Sequence, residues 1–303
     1  MKNPLFYLIL LLTLCLQSCI TYIDRELDVK PKLVLFCYIV PQLDTTIVRL
    51  TNSVPLFTSN PKHWEYVTHA TVEISDNNID WVKFNFQPYH KYYLLTQTDF
   101  PIREGKTYYI RASAPEYETV YANCTVPVFR ETNVSVVLQQ DTVTDKYGNR
   151  FSLGKIEWTD YAGEDNYYIF CDKTFYERYE REWDWEEHDW IILDTIYSYG
   201  WHPLSEPNYR RRCVYSDKDK DGKKMTAPIE VHWGSSNWSE VTLLEITQLQ
   251  TDIHCYQFEI SFQNYEADLQ FFMLEPMQLY SNIKNGYGLF GAFVLRDYGF
   301  EFE

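Results

Sequence analysis

The chain has 303 residues and a formal net charge of −16, from 27 Lys+Arg against 43 Asp+Glu, which excludes a binder of nucleic-acid backbone because that task needs a basic face to displace counterions. With 45% hydrophobic and 17% aromatic residues, disorder is excluded as well. At roughly 100–200 residues per domain, the length predicts two domains, each able to bury a core.

The first element reads as an address. Lys2 precedes an apolar run from Pro4 to Leu16. A hydrocarbon core of about 30 Å asks for about 20 apolar residues, so this run is short for a membrane span and fits a secretory signal. Its exit, Leu16-Gln17-Ser18-Cys19, resembles the bacterial lipobox, with Gln17 a mild departure. The resemblance implies cleavage after Ser18 and acylation of Cys19, with outer-membrane lipid as its partner. Ile20 stands where inner-membrane retention commonly uses Asp, which implies the outer membrane, and Asp24, Glu26 and Asp28 look like a surface-export tether. The expected layout is a signal peptide over 1–18 and a tether over 19–30, giving a lipid-anchored protein exposed at the cell surface.

From residue 31 to 128 the text is short β-rich runs. Period-two alternation in Thr71-Val72-Glu73-Ile74-Ser75 and in Lys106 to Ala112 predicts strands. Seven are expected, near 32–40, 46–52, 68–76, 80–86, 91–96, 106–113 and 117–128. This density predicts an immunoglobulin-like or fibronectin-like β-sandwich. A second β-rich domain is expected over 129–303, with strands near 133–138, 152–159, 166–172, 190–197, 209–216, 228–234 and 240–248. One helix is predicted over 252–267, capped by Asp252, with Ile253, Tyr256, Ile260 and Tyr265 near one face. A final aromatic strand is expected from Ala292 to Phe302. The fold class is therefore mostly β with one helix.

Five cysteines remain after cleavage and acylation: Cys37, Cys124, Cys171, Cys213 and Cys255. An odd count cannot pair fully, and no CxxC spacing suggests zinc or redox chemistry. Cys37 and Cys124, in the first and last strands of the N-terminal domain, are the candidate disulfide; two buried thiols acting as small hydrophobes is the alternative.

Residues 176–190 carry seven acids, two Arg and five aromatics: Tyr176, Tyr179, Trp183, Trp185 and Trp190. Exposed aromatics anchor interfaces, so these five are candidates for binding a glycan, a peptide or a protein partner; a solvated hairpin or short helix whose rings cover the sandwich is the bland reading. Asp217, Asp219 and Asp221, followed by Gly222, match the first half of a calcium loop. Position twelve of that loop would be Pro228 where a bidentate Glu is needed, so an EF-hand is rejected and only a looser calcium site remains as a candidate cofactor site. There is no HExxH, GxSxG or GxxxxGK[ST], and the seven His show no ligand spacing. The expectation is a protein that is not an enzyme.

Near the C-terminus, Ser281-Asn282-Ile283-Lys284-Asn285-Gly286-Tyr287-Gly288-Leu289-Phe290-Gly291-Ala292 resembles a block of the family known as domain of unknown function 4249. Weaker agreement runs from Pro31–Ile39 through Ser216–Lys223, so the resemblance spans essentially the whole mature chain; the acidic aromatic segment departs from it. It implies an outer-membrane lipoprotein of Gram-negative bacteria, often encoded beside TonB-dependent transporters, and no established activity. The expected function is an accessory or binding component of such a transporter, with a freestanding glycan-binding or adhesive module as the alternative and a hydrolase behind both. In the block, Gly286, Gly288 and Gly291 permit positive φ or close backbone approach, and the flanking Ile283, Leu289 and Phe290 can plug a core; together with Asn282 and Asn285 this signature is read as a structural turn locking the last strand, with a ligand site as the alternative.

Overall fold

The computed structural model describes residues 30–54, 64–144, 149–184, 189–203, 213–235, 239–268 and 279–301. The described chain is mostly strand with one helix. In β1 (Leu33–Ile39), Leu33, Leu35, Cys37 and Ile39 are buried while Tyr38 is exposed, the alternation that a period of two dictates. With β2 (Thr45–Asn52), β5 (Asn85–Gln87) and β6 (Tyr92–Thr96) it forms the order β1-β2-β6-β5. Facing it, β3 (Thr71–Ser75), β4 (Val82–Lys83), β7 (Thr107–Ser113) and β8 (Val120–Thr125) form β4-β3-β7-β8.

Lettered in chain order, these are strands ABED over C′CFG, the immunoglobulin arrangement. Tyr108 on β7 supplies its tyrosine corner: the hydroxyl accepts the Arg103 N–H at 2.7 Å and donates to the Pro101 carbonyl at 3.2 Å. The run expected near 80–86 divides into β4 and β5 because the chain changes sheet there. Phe84 marks the crossing, with its ring in the core and its N–H bonded to the Val72 carbonyl at 2.9 Å.

The unit over 31–128 does not close on its own residues. β16 (Tyr287–Glu301) runs parallel to β1, from Val34↔Tyr287 to Ile39↔Ala292, and contributes Phe290, Ala292 and Val294 to the N-terminal core. The same strand then pairs antiparallel with β15 (Ser239–Thr251), from Thr251↔Phe293 to Leu243↔Glu301. β16 thereby covers an edge of β1 that would otherwise present unpaired backbone groups. β11 (Tyr167–Asp184), β12 (Asp189–Pro203) and β13 (Val214–Ser216) extend the sheet to nine strands. A three-stranded sheet, β14-β10-β9, is built from β9 (Ser135–Thr144), β10 (Asn149–Thr159) and β14 (Lys224–Ser235). Between it and the nine-stranded sheet lies a second core around Trp158, Tyr168, Phe170 and Ile246.

The two cores share one face of the long sheet, since the register sets Ile246, Gln248 and Gln250 beside the core-facing Val294. The connection from β8 to β9 crosses that face. Gln250 clasps it, accepting the Arg130 N–H at 2.8 Å and donating to the Arg130 carbonyl at 2.5 Å, while the Thr132 hydroxyl donates to Gln248 at 2.8 Å. The buried Gln250 here serves as the backbone partner of an irregular segment, and Gln248 holds the Thr132 side chain beside it.

The opposite face carries α1 (Ile253–Asp268). Asp252 caps it as expected, its Oδ1 accepting the Cys255 N–H at 2.9 Å. The packing face differs from the expected one. Cys255 is the buried residue of the first turn; Phe258, half-buried, meets Phe36 edge-on at 5.7 Å, and Ile253, Tyr256 and Ile260 are also half-buried, Tyr256 against Tyr167 at 4.8 Å. The reason is on the sheet: a Cβ at Gly291 would stand 2.3 Å from the Cys255 sulfur, so only glycine lets the helix sit down here.

Asp252 is 7% exposed and its Oδ2 has no partner among the described residues. Burial pushes its carboxyl above the ordinary carboxylate range. A raised folded pKa means that the native state holds the proton more tightly, so this group's contribution to stability is full below its unfolded value of 3.8 and is lost as pH rises through the folded value. Asp252→Asn keeps a capping oxygen and removes the charge. Its stability relative to the parent is expected to be more favourable at about pH 8 than at about pH 4 in urea unfolding; an equal difference at both pH values would refute the account.

Candidate functional site

The signature block sits where the sandwich closes. Asn282 accepts the Phe290 N–H at 3.0 Å and donates to the Phe290 carbonyl at 2.7 Å, so one side chain does the work of a neighbouring strand. Lys284 bridges to Tyr121 on β8, its N–H reaching the Tyr121 carbonyl at 2.8 Å, and Asn285, at φ 65°, donates to the Thr119 carbonyl at 3.0 Å. The segment at 282–285 thus lies against β8, in the four-stranded sheet, and a few residues later the chain enters the nine-stranded sheet as β16. That transfer needs glycine: Gly288 has φ 111°, and at Gly286 a Cβ would lie 2.5 Å from the Leu33 carbonyl oxygen.

The carboxylates at 217–221 gather differently from the expected alternation. Asp217 and Asp221 come together with Asp160, which the sequence pattern does not single out, and one oxygen of each lies within 4.8 Å of the others. Asp219 is not part of this group; at φ 66° it turns away and its carbonyl accepts Lys223 Nζ at 3.1 Å. Each carboxylate already has donors. Asp160 accepts the Tyr168 hydroxyl at 2.5 Å and the Gly222 N–H at 2.8 Å, Asp217 accepts the Asn166 N–H at 3.0 Å, and Asp221 accepts the Gly163 N–H at 2.7 Å. Burial, followed by the neighbouring Asp160 and Asp165 charges, raises the Asp217 carboxyl above its ordinary range. The cluster ties the loop after β10 to the turn before β14.

The acidic aromatic segment forms a hairpin. β11 and β12 pair from Cys171↔Pro203 to Asp184↔Asp189, which places Trp183 opposite Trp190 at the tip, with Tyr176 and Tyr179 further down β11. Trp185 lies outside the described residues, as do the side chains of the other four. Cys19 and the tether are also outside them. Cys37 and Cys124 are not sheet neighbours: they sit on β1 and β8, in facing sheets, as buried free thiols. Burial drives both thiols up from their ordinary pKa, so neither is an active nucleophile near neutral pH.

Sequence reasoning also passes over a polar cleft at one end of the immunoglobulin-like sandwich, between residues 64–69 and the β7–β8 turn. Its residues are spread over about 60 positions along the chain, from Asn52 to Tyr117, and share no motif.

Among curated proteins no sequence matches. A similar solved structure is described as "Biofilm associated protein - B domain", at 6% identity and a TM-score of 0.18, covering 88% of this chain and 85% of that one. A score that low carries no argument about fold or function. The sequence-family comparison is of a different order: the model described as Domain of unknown function (DUF4249) matches residues 20–296, and the chain belongs to that family.

Proposed function

We propose that the protein is a non-catalytic lipoprotein, held in the outer membrane through Cys19 and displayed at the cell surface as an accessory or binding component of a TonB-dependent transporter. The observation that carries this reading is the apolar run ending in Leu16-Gln17-Ser18-Cys19. The tether over 19–30 then separates the anchor from β1 and reaches about 40 Å when extended. A net charge of −16 gives the body no attraction to anionic lipid, so the acyl chains must hold it, each buried CH₂ contributing about 0.8 kcal/mol. No helix among the described residues is long and apolar enough to cross a membrane.

The transporter partner follows from the family resemblance, and the aromatic β11–β12 hairpin is the segment proposed to meet it. The carboxylates of Asp160, Asp217 and Asp221 are assigned to loop closure in this reading, and no catalytic step or calcium requirement is attached to them. The expected result of Cys19→Ala is release from the membrane fraction, with intact-mass measurement of the parent showing a chain that begins at an acylated Cys19. Retention of the variant in membranes, or an unmodified full-length parent, would sink the anchor. Copurification of the solubilised parent with a transporter tests the partner separately.

A further inference from the structure

The cleft on the N-terminal sandwich is preformed. One wall is the 64–69 segment, joined to the end of β2 by a bridge between Tyr66 and Thr51, with the Val67 N–H on the Leu50 carbonyl at 2.9 Å and the Asn52 N–H on the Glu65 carbonyl at 3.1 Å. Asn52 returns the clasp, its Oδ1 accepting the Glu65 N–H at 2.6 Å. The other wall is the turn carrying Glu116 and Tyr117, which belongs to the facing sheet. Between them lies a volume of about 230 Å³, with the buried Val67 in its lining. A site held by backbone bonds on both sides loses little freedom when it is filled.

Its chemistry is mixed in a particular way. The lining includes Glu65, Glu116, His69 and Tyr66 and no Lys or Arg, and a cation stands beside it in Lys91, whose Nζ lies 5.8 Å from the Tyr66 ring centroid. Glu116 sits at φ 70°, where a glycine would be at ease and a long side chain is uncommon. Beside the cleft, Trp64 is 56% exposed and meets Tyr66 edge-on at 5.2 Å. Aromatic surface next to convergent hydrogen-bonding groups suits a ligand with an apolar face and a hydroxylated rim. Two lining glutamates against the single Lys91 at the Tyr66 ring leave the cleft net negative, which disfavours phosphates and uronic acids.

We propose that this cleft binds a neutral saccharide, one sugar ring lying among Glu65, His69 and Glu116 and the adjoining ring stacking on Trp64. Glu65 and Glu116 accept hydrogen bonds from sugar hydroxyls, and Tyr66 and Trp64 cover the C–H face. Asn52 pairs with Leu33, so the cleft stands at the end of the sandwich from which the tether departs. The inference holds whether or not Cys19 is acylated or a transporter stands beside the protein.

The test is calorimetric titration of the full, detergent-solubilised chain with maltose, cellobiose, lactose and chitobiose. At least one is expected to bind saturably. Trp64→Ala and Glu116→Gln, both exposed positions, are expected to weaken that binding by about tenfold or more while leaving Tm unchanged. Trp183→Ala, at the hairpin tip, is expected to bind as the parent does. The proposal is overturned if none of the four sugars binds, if both cleft variants bind normally, if only the hairpin variant loses binding, or if the cleft instead takes a Lys-rich peptide and no sugar.

Discussion

Replacing Gly288 with alanine is expected to cost the protein about 4 kcal/mol or more, enough to abolish folding in a chain of ordinary stability. Two effects add. The residue has φ 111°, which an L side chain rarely adopts, and the new Cβ would lie 2.0 Å from the Leu35 carbonyl oxygen and 2.8 Å from its carbon. Those are backbone atoms of β1, which can retreat only by breaking the parallel β1–β16 pair. Because β16 continues from β1 to β15, the loss should spread to both cores. Gly299→Ala is the matched control. It lies on the same strand, a Cβ there would meet nothing within 4 Å, and a change within about 0.5 kcal/mol is expected. Urea unfolding of both variants checks the pair; equal costs would mean that the closing strand is not held as described.

The second large effect is expected at Asp160. This carboxylate is 4% exposed and accepts from the fully buried Tyr168 at 2.5 Å and from the Gly222 backbone at 2.8 Å. Asp160→Ala strands both donors away from water, a loss of about 3 kcal/mol or more. Tyr168→Phe removes the hydroxyl and leaves the carboxylate with its backbone donor, so a smaller loss, about 1–2 kcal/mol, is expected. The double variant should fall short of the sum, with a coupling of about 1.5 kcal/mol or more, and additivity in a denaturation cycle would refute the bond's role. The Tyr168 hydroxyl is itself raised above its ordinary pKa, by burial first and by the Asp160 bond second.

How much of this is legible in the sequence depends on the range of the signal. The alternation in Leu33–Ile39 and in Thr71–Ser75 can be read because each apolar residue reports its own face. Asp252 can be read as a cap because its partner, the Cys255 N–H, is three residues away. The face of α1 cannot, since it is chosen by the absence of a side chain at Gly291 on another element. Asp217 and Asp221 are visible as a run of alternating acids, yet their third companion is Asp160, some 57 residues earlier, and Asp219 leaves the group because its backbone turns left-handed.

The immunoglobulin-like strand order is implied by strand density and turn spacing, but a domain boundary drawn at residue 128 says nothing of β16, which returns from the C-terminus to pair with β1. A strand's composition tells which face it buries and leaves its neighbour open, because backbone hydrogen bonding is the same for every sequence. By itself, then, the sequence determined the strand-rich class, the capped helix, the glycine-bearing block and the lipobox-like N-terminus. Only the tertiary structure decided that one strand joins two cores, that three distant aspartates meet, and that Glu65 and Glu116 stand on opposite walls of one cleft. Those are contacts between residues far apart in the chain, and their energy depends on register and packing that no local pattern records.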